Sequence, residues 1–226
     1  MKRRLLLIIL AVLAVATFAL ADTATVTIVN VGPGSVGGPN VGGNVYVYPY
    51  YMSVNGSSTL TPMICDDYAH EVYLGESWTA TVSSFTNLSS AEYFNLPGST
   101  KLYEEAAYLY AQIGTSPTNA VLDNYAIWYL FNPSNSDLLT GLEEAGLTVT
   151  EIKNLIANAG IAIASLPASY WNQFAIYTPV GNPGSDTYPQ EMIGFVTVTN
   201  VSEPGIAALL GFGLIPLWVM RKKKAL

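Results

Sequence analysis

Residues 101–131, KLYEEAAYLYAQIGTSPTNAVLDNYAIWYLF, decide the fold class, because their pattern is helical and the segments on either side are not. Residues 101–113 place apolar and aromatic side chains at i, i+3 and i+4 spacings, which predicts an amphipathic helix closed by Gly114. Ser116-Pro117 supplies an N-cap and a proline at the first helical position for a second helix to about residue 131, where Asn132-Pro133 stops it. Two shorter helices are expected over residues 137–145 and 150–159. Thr148 and Glu151 have the spacing of a capping box, and Gly160 is expected to close the last helix.

Outward from this stretch the hydrophobic period is two. Upstream, ATVTIVNV at 24–31 reads as a strand ending in the Gly/Pro-rich cluster at 32–44. Residues 45–54, VYVYPYYMSV, read as a second strand in which Pro49 argues for an edge or a bulge. Asn55-Gly56 has hairpin-turn chemistry ahead of a strand over 59–65, and residues 78–85 alternate again. Downstream, strands are expected over 173–177 and 192–199. Strands, then helices, then strands predict an α+β fold: an antiparallel β sandwich or barrel-like sheet with an inserted helical segment at about 101–160. No internal repeat of useful length is visible.

The 226 residues suffice for one ordinary domain. Half are hydrophobic and 11% are charged, with a mean hydropathy of +0.33, which excludes a disordered polyelectrolyte. The formal charge of -7 is unevenly placed: of nine Lys and Arg, three are Lys2, Arg3 and Arg4, and four are Arg221, Lys222, Lys223 and Lys224. All sixteen acids lie from Asp22 to Glu203 with only Lys101 and Lys153 among them, a charge of -14 for that body. Nucleic acid is therefore not an expected partner, since phosphate neutralisation needs clustered cations.

Residues 1–21 read as a secretory signal peptide: a basic start, an apolar run at 5–16, and Ala19-Leu20-Ala21 before Asp22. An uncleaved N-terminal anchor is the alternative. Residues 205–220 are apolar and precede Arg221–Lys224 directly; as a helix they cover roughly 24 Å, short of a hydrocarbon core of about 30 Å, and span only with basic side chains snorkelling or local thinning. The positive-inside rule puts both basic clusters in the cytoplasm and exports a single domain over 22–200.

Ser202-Glu203-Pro204, the short apolar segment and the terminal basic cluster together resemble the PEP-CTERM sorting signal of Gram-negative bacteria, over residues 201–226. In that family the tripeptide is Pro-Glu-Pro, and Ser202 replaces its first proline here. The resemblance implies recognition by an exosortase-type processing protease, membrane attachment through the C-terminal segment before processing, and delivery to the cell envelope, cell surface or extracellular matrix. A plain C-terminal anchor is the alternative and gives the same compartment.

Catalytic constellations are scarce. His70 is the single histidine, no phosphate-binding glycine loop is present, and no G-x-S-x-G occurs. A Cys65/His70 dyad is conceivable, but a surface position is expected for His70. Asp66, Asp67 and Glu71 could offer oxygen ligands to calcium, against a plainer reading as solvated acids; no metal, cofactor or enzymatic activity is expected. The lone Cys65, flanked by Met63-Ile64, fits a buried thiol, with an intermolecular bridge or reactive centre as alternatives.

Two segments taken together, PMICDDYAHEVYLGESW at 62–78 and AAYLYAQ followed by NYAIWYLF, resemble the cores of bacterial thioester-domain surface proteins, over about residues 60–133. In that family a Cys after a strand and a Gln two residues before Ala-Ile-Trp condense into an internal thioester that captures amines. The resemblance maps these roles onto Cys65 and Asn124, and Asn124 is one methylene short; Gln112 is a conceivable substitute. Tyr46, Tyr48 and Tyr50 share one strand face, either as a sugar-stacking platform or as a buried face. The sequence thus predicts an exported bacterial surface or matrix protein with a structural or adhesive role. The alternatives are a covalent adhesin using Cys65 and a carbohydrate-binding module, with extracellular polysaccharide or surface proteins as partners.

Overall fold

The computed structural model describes residues 22–32, 40–41, 45–115, 119–185 and 187–196. The signal segment, Ser116-Pro117, the sorting-signal residues 202–204, the apolar run 205–220 and the basic cluster 221–224 lie outside them. Among the described residues no helix is long and apolar enough to cross a membrane. Ala21–Val196 makes one compact unit.

Six antiparallel strands close into a barrel. In chain order the strands are β1 (Asp22–Val31), β2 (Asn40–Val41), β3 (Val45–Tyr46), β4 (Tyr50–Val54), β5 (Thr61–Cys65), β6 (Ser77–Ser84), β7 (Phe174–Pro179) and β8 (Met192–Phe195). Around the barrel they run β1-β4-β5-β8-β7-β6, while β2 and β3 pair separately. Closure depends on β1, whose first half pairs β6 from Asp22↔Val82 to Thr27↔Ser77 and whose second half pairs β4 from Val26↔Val54 to Val31↔Tyr50. A register shift between Ile28 and Asn30 marks the bend between these duties. Ala24, Val26 and Ile28 point inward and Thr23 and Thr25 outward, as period two requires.

The sheet is thus a barrel, not a sandwich, and the strand expected over 45–54 is two pieces. Pro49 has no N–H for a ladder, and its carbonyl instead accepts from Gly32 N–H at 3.2 Å. Asn55 and Gly56, at φ 52° and 73°, are the left-handed pair of a turn closed by Ser57 N–H on Val54 O at 3.0 Å, which opens the connection from β4 to β5.

Between β6 and β7 come α1 (Ser99–Thr115), α2 (Ala120–Phe131), α3 (Ser136–Glu144), α4 (Val149–Ile163) and a 3-10 turn (Ala168–Gln173). Every residue of β7 is buried, because this insertion covers the outer face while the barrel core takes the inner one. Tyr110 of α1 donates to Pro62 O of β5 at 2.6 Å and its ring meets Phe174 and Phe195. Helix α2 is buried nearly all round, from Ala120 to Phe131, as expected of a helix enclosed on every side. Gly194 permits the tight seam of β5, β8 and β7: a Cβ there would lie 2.8 Å from Met63 Cγ and 3.3 Å from the Tyr177 ring.

Two helix ends differ from expectation. Helix α1 continues through Gly114 to Thr115, and α4 continues through Gly160 to Ile163. Gly160 is a contact position, not a terminator, since a Cβ would sit 2.7 Å from Glu105 Oε1 on α1. The start of α4 is as expected, with Thr148 and Glu151 capping each other reciprocally. Thr148→Ala removes that acceptor and is expected to lower unfolding free energy by about 1 kcal/mol in urea titration, with an unchanged m-value.

Candidate functional site

The ladder between β5 and β8 ends at Cys65↔Met192, and one step further Asp66 faces Glu191 across the strands, with Asp66 N–H directed at Glu191 O (3.4 Å). Like charges opposed across strands are unfavourable. Both residues are fully buried, as is Asp67, so the reading of Asp66 and Asp67 as solvated acids is overturned: β8 and the loop before it cover them.

Glu191 is well supplied with donors. Tyr103 O–H donates to Oε1 at 2.5 Å, while Thr178 O–H and the Glu92 backbone N–H (2.8 Å) donate to Oε2. Asp66 receives no donor at either oxygen. Burial, then the charges of Glu191, Asp67 and Glu92, push its carboxyl well above the ordinary range. Burial also raises Glu191, opposed by the hydrogen bonds it accepts.

Asp67 Oδ1 accepts from Ala69 N–H (2.7 Å) and Tyr93 O–H (3.0 Å), and its Oδ2 meets His70 Nδ1. The other ring nitrogen of His70 donates to Pro183 O at 2.9 Å, and Tyr188 packs edge-on at 5.1 Å. The His70 side chain is 14% exposed, half-buried on the wall of a cleft with Pro183 and Tyr188 packed against it. Burial works against the imidazolium, but the Asp67 carboxylate and the Pro183 carbonyl outweigh it and raise His70. Glu92 completes the group from a run of turns anchored by buried Leu88 and Ala91; burial, then Asp67 and Glu191, push it up to about 8.

Four carboxyls therefore gather at this end of the barrel, and two of them, Asp67 and Glu92, lie beside the His70 imidazole. Only two Lys lie among the described residues: Lys101 pairs with Glu105 at 3.3 Å and Lys153 is exposed, so neither reaches the group. His70 also lines a cleft of about 480 Å³ whose walls include Glu71, Tyr73, Glu76, Pro183 and Thr187.

The thioester-like positions lie beside this group. Cys65 is 1% exposed, and Trp128 Nε1–H of α2 points at its sulfur at 3.3 Å. Burial pushes the thiol up to about 12. Asn124 stands one helical turn before Trp128, fully buried, and its Nδ2 donates to Tyr46 O at 3.3 Å. The structure thus brings α2 onto Cys65, with Asn124 engaged by the chain entering the barrel. Cys65 and His70 form no dyad, since His70 is turned to Asp67. Tyr46 and Tyr50 meet edge-on at 6.4 Å, and Tyr50 is only 6% exposed, so the three tyrosines do not form an open stacking platform.

Glu92, Glu191, Tyr93, Tyr103 and Thr178 escape sequence reading, because Glu92 and Glu191 come together across 99 residues. The available signal was Gln190-Glu191 directly before an apolar strand and Asp66-Asp67 directly after one, which become neighbours once β5 and β8 pair. Compared with protein-family models, curated proteins and solved structures, the chain matches none of them.

Two measurements probe this region. A carboxyl that holds its proton more tightly when folded stabilises the fold at low pH, and that contribution disappears as pH rises through the folded value. Asp66, Glu92 and Glu191 are all raised, as is His70, so in chelating buffer the melting temperature is expected to fall from about pH 5 up through about 8. A flat or rising profile contradicts the charge arrangement. Separately, Cys65 is expected to resist aromatic disulfide reagents at about pH 8 until denaturant is added, which thiol titration by absorbance reads directly.

Proposed function

We propose that the chain is an exported bacterial surface or extracellular-matrix protein whose body serves a structural or adhesive role, sorted by an exosortase-type system that acts on the 201–226 tail. The observation that carries this reading is the division of the sequence into two basic, apolar ends and a body with two lysines against sixteen acids. A closed barrel with a buried helical cover supports it, because such a body needs no partner to complete its core. The sequestered state of Cys65 further favours a non-enzymatic, non-covalent role. Mass spectrometry of protein from its native envelope is expected to find an N-terminus at Asp22 and a C-terminus trimmed near Ser202-Glu203-Pro204. Recovery from the cytosol with residues 1–21 intact overturns the export reading.

The covalent-adhesin alternative has one observation in its favour, the seating of the Ala126-Ile127-Trp128 turn on Cys65. Its chemistry is loss of ammonia as the thiol attacks a side-chain amide, leaving an acyl thioester. With Asn124 donating to Tyr46 O, the expected intact mass shows no loss of about 17 Da and no methylamine adduct. Either one establishes the thioester instead.

A further inference from the structure

Among the described residues, Asp67, His70 and Glu92 each place one ligand atom so that all three lie within 4.8 Å of one another. We propose that these residues bind one divalent transition-metal cation of the zinc class at the β5/β8 end of the barrel. Ligand distances of about 2.0–2.2 Å let two atoms on one ion stand at most roughly 4.4 Å apart, so small side-chain rotations bring the three onto a common ion. This inference is independent of how the chain is exported.

The orientation of His70 is the first argument. Pro183 O can only accept, so Nε2 carries the ring proton of the neutral imidazole and Nδ1 presents a lone pair to Asp67 Oδ2. A proton bridges the two atoms in this contact, and a metal ion takes the place of that proton once the two side chains open slightly. A backbone carbonyl that fixes the remote ring nitrogen is the usual outer support of a metal-bound histidine.

The second argument is independent of that geometry. Asp66 is wholly buried, neither of its oxygens has a hydrogen-bond partner, and it stands directly before Asp67 and opposite Glu191 where β5 and β8 meet. Glu92 Oε2 is likewise enclosed without a donor. Buried carboxylates are ordinarily paired or coordinate metals, and no Lys or Arg reaches these. A divalent ion supplies the missing positive charge at the point where these carboxyls converge. Its route in is the open cleft that His70 lines, whose acidic wall residues Glu71 and Glu76 favour cations.

The donor set selects the ion. Imidazole suits zinc and its transition-metal neighbours, whereas calcium and magnesium prefer all-oxygen shells. Three protein ligands leave a further position for water or for Asp66. The bound ion ties the loop after β5 to the turns around Glu92, and so stabilises the fold in proportion to its occupancy.

Isothermal titration of the chelator-stripped full chain in mild detergent tests this, with zinc chloride as probe and calcium and magnesium chloride as comparisons. The expected result is one zinc ion per chain, a higher melting temperature on saturation, and affinity at least about tenfold weaker in His70→Gln and in Glu92→Gln. Glu143→Gln, on the exposed face of α3, is expected to bind like the parent. Glu92→Gln carries the test if His70→Gln does not fold, since Glu92 Oε2 has no donor to lose. No saturable zinc binding, zinc binding unaffected by the folded variants, or calcium bound as tightly as zinc each overturns the proposal.

Discussion

Burying acidic groups without cations is the constraint from which the rest of this structure follows. The body has almost no Lys or Arg, yet Asp66 directly after β5 and Glu191 directly before β8 stand side by side within the protein. Taking ionised carboxylates out of water costs several kcal/mol each unless they are neutralised or supplied with donors. The surroundings answer that demand piece by piece. Tyr103 arrives from α1, Thr178 from β7 and a backbone N–H from the turn at Glu92, all on Glu191, while Tyr93 and His70 attend Asp67. The helical insertion and the turn segment are therefore positioned by polar contacts as much as by apolar burial.

The same elements serve the apolar core. Phe131 stacks on Tyr93 at 4.7 Å and packs tilted against Tyr103 at 4.9 Å, so the hydroxyls that reach the carboxyls belong to rings fixed by α2. Trp128, one turn earlier on that helix, occupies the Cys65 sulfur. Polar cluster and aromatic core thus share one scaffold, and a shift of α2 disturbs both. This coupling gives the Ala126-Ile127-Trp128 segment a physical role: Trp128 seats the helix against the end of β5.

Much of the architecture was legible because local patterns agree with it. The helical periods, the Thr148 capping box, the Asn55-Gly56 turn and the alternation in β1 and β6 are short-range signals, and each became the expected element. The misreadings arose where tertiary contact overrides local rule. Gly160 is a stop signal by composition but a point of helix contact in space, and Pro49 breaks a strand whose period continues across it. The polar cluster was half visible. Asp66, Asp67 and His70 stand together in the chain, but their burial depends on β8 and on turns distant in sequence, which no local spacing encodes.

The position of β8 has a kinetic meaning. This four-residue strand lies at the far end of the described body, yet it joins β5 to β7 and so seals the barrel. The helices and the pairings among β1, β4, β5 and β6 are more local, whereas closure of the sheet must wait for a pairing that spans more than a hundred residues, such as Cys65 with Met192. Until that last strand arrives, the first strands have unpaired edges and the carboxyls of Asp66 and Asp67 remain in water. The chain is thus built so that its acidic interior is created late, by the same event that closes the sheet.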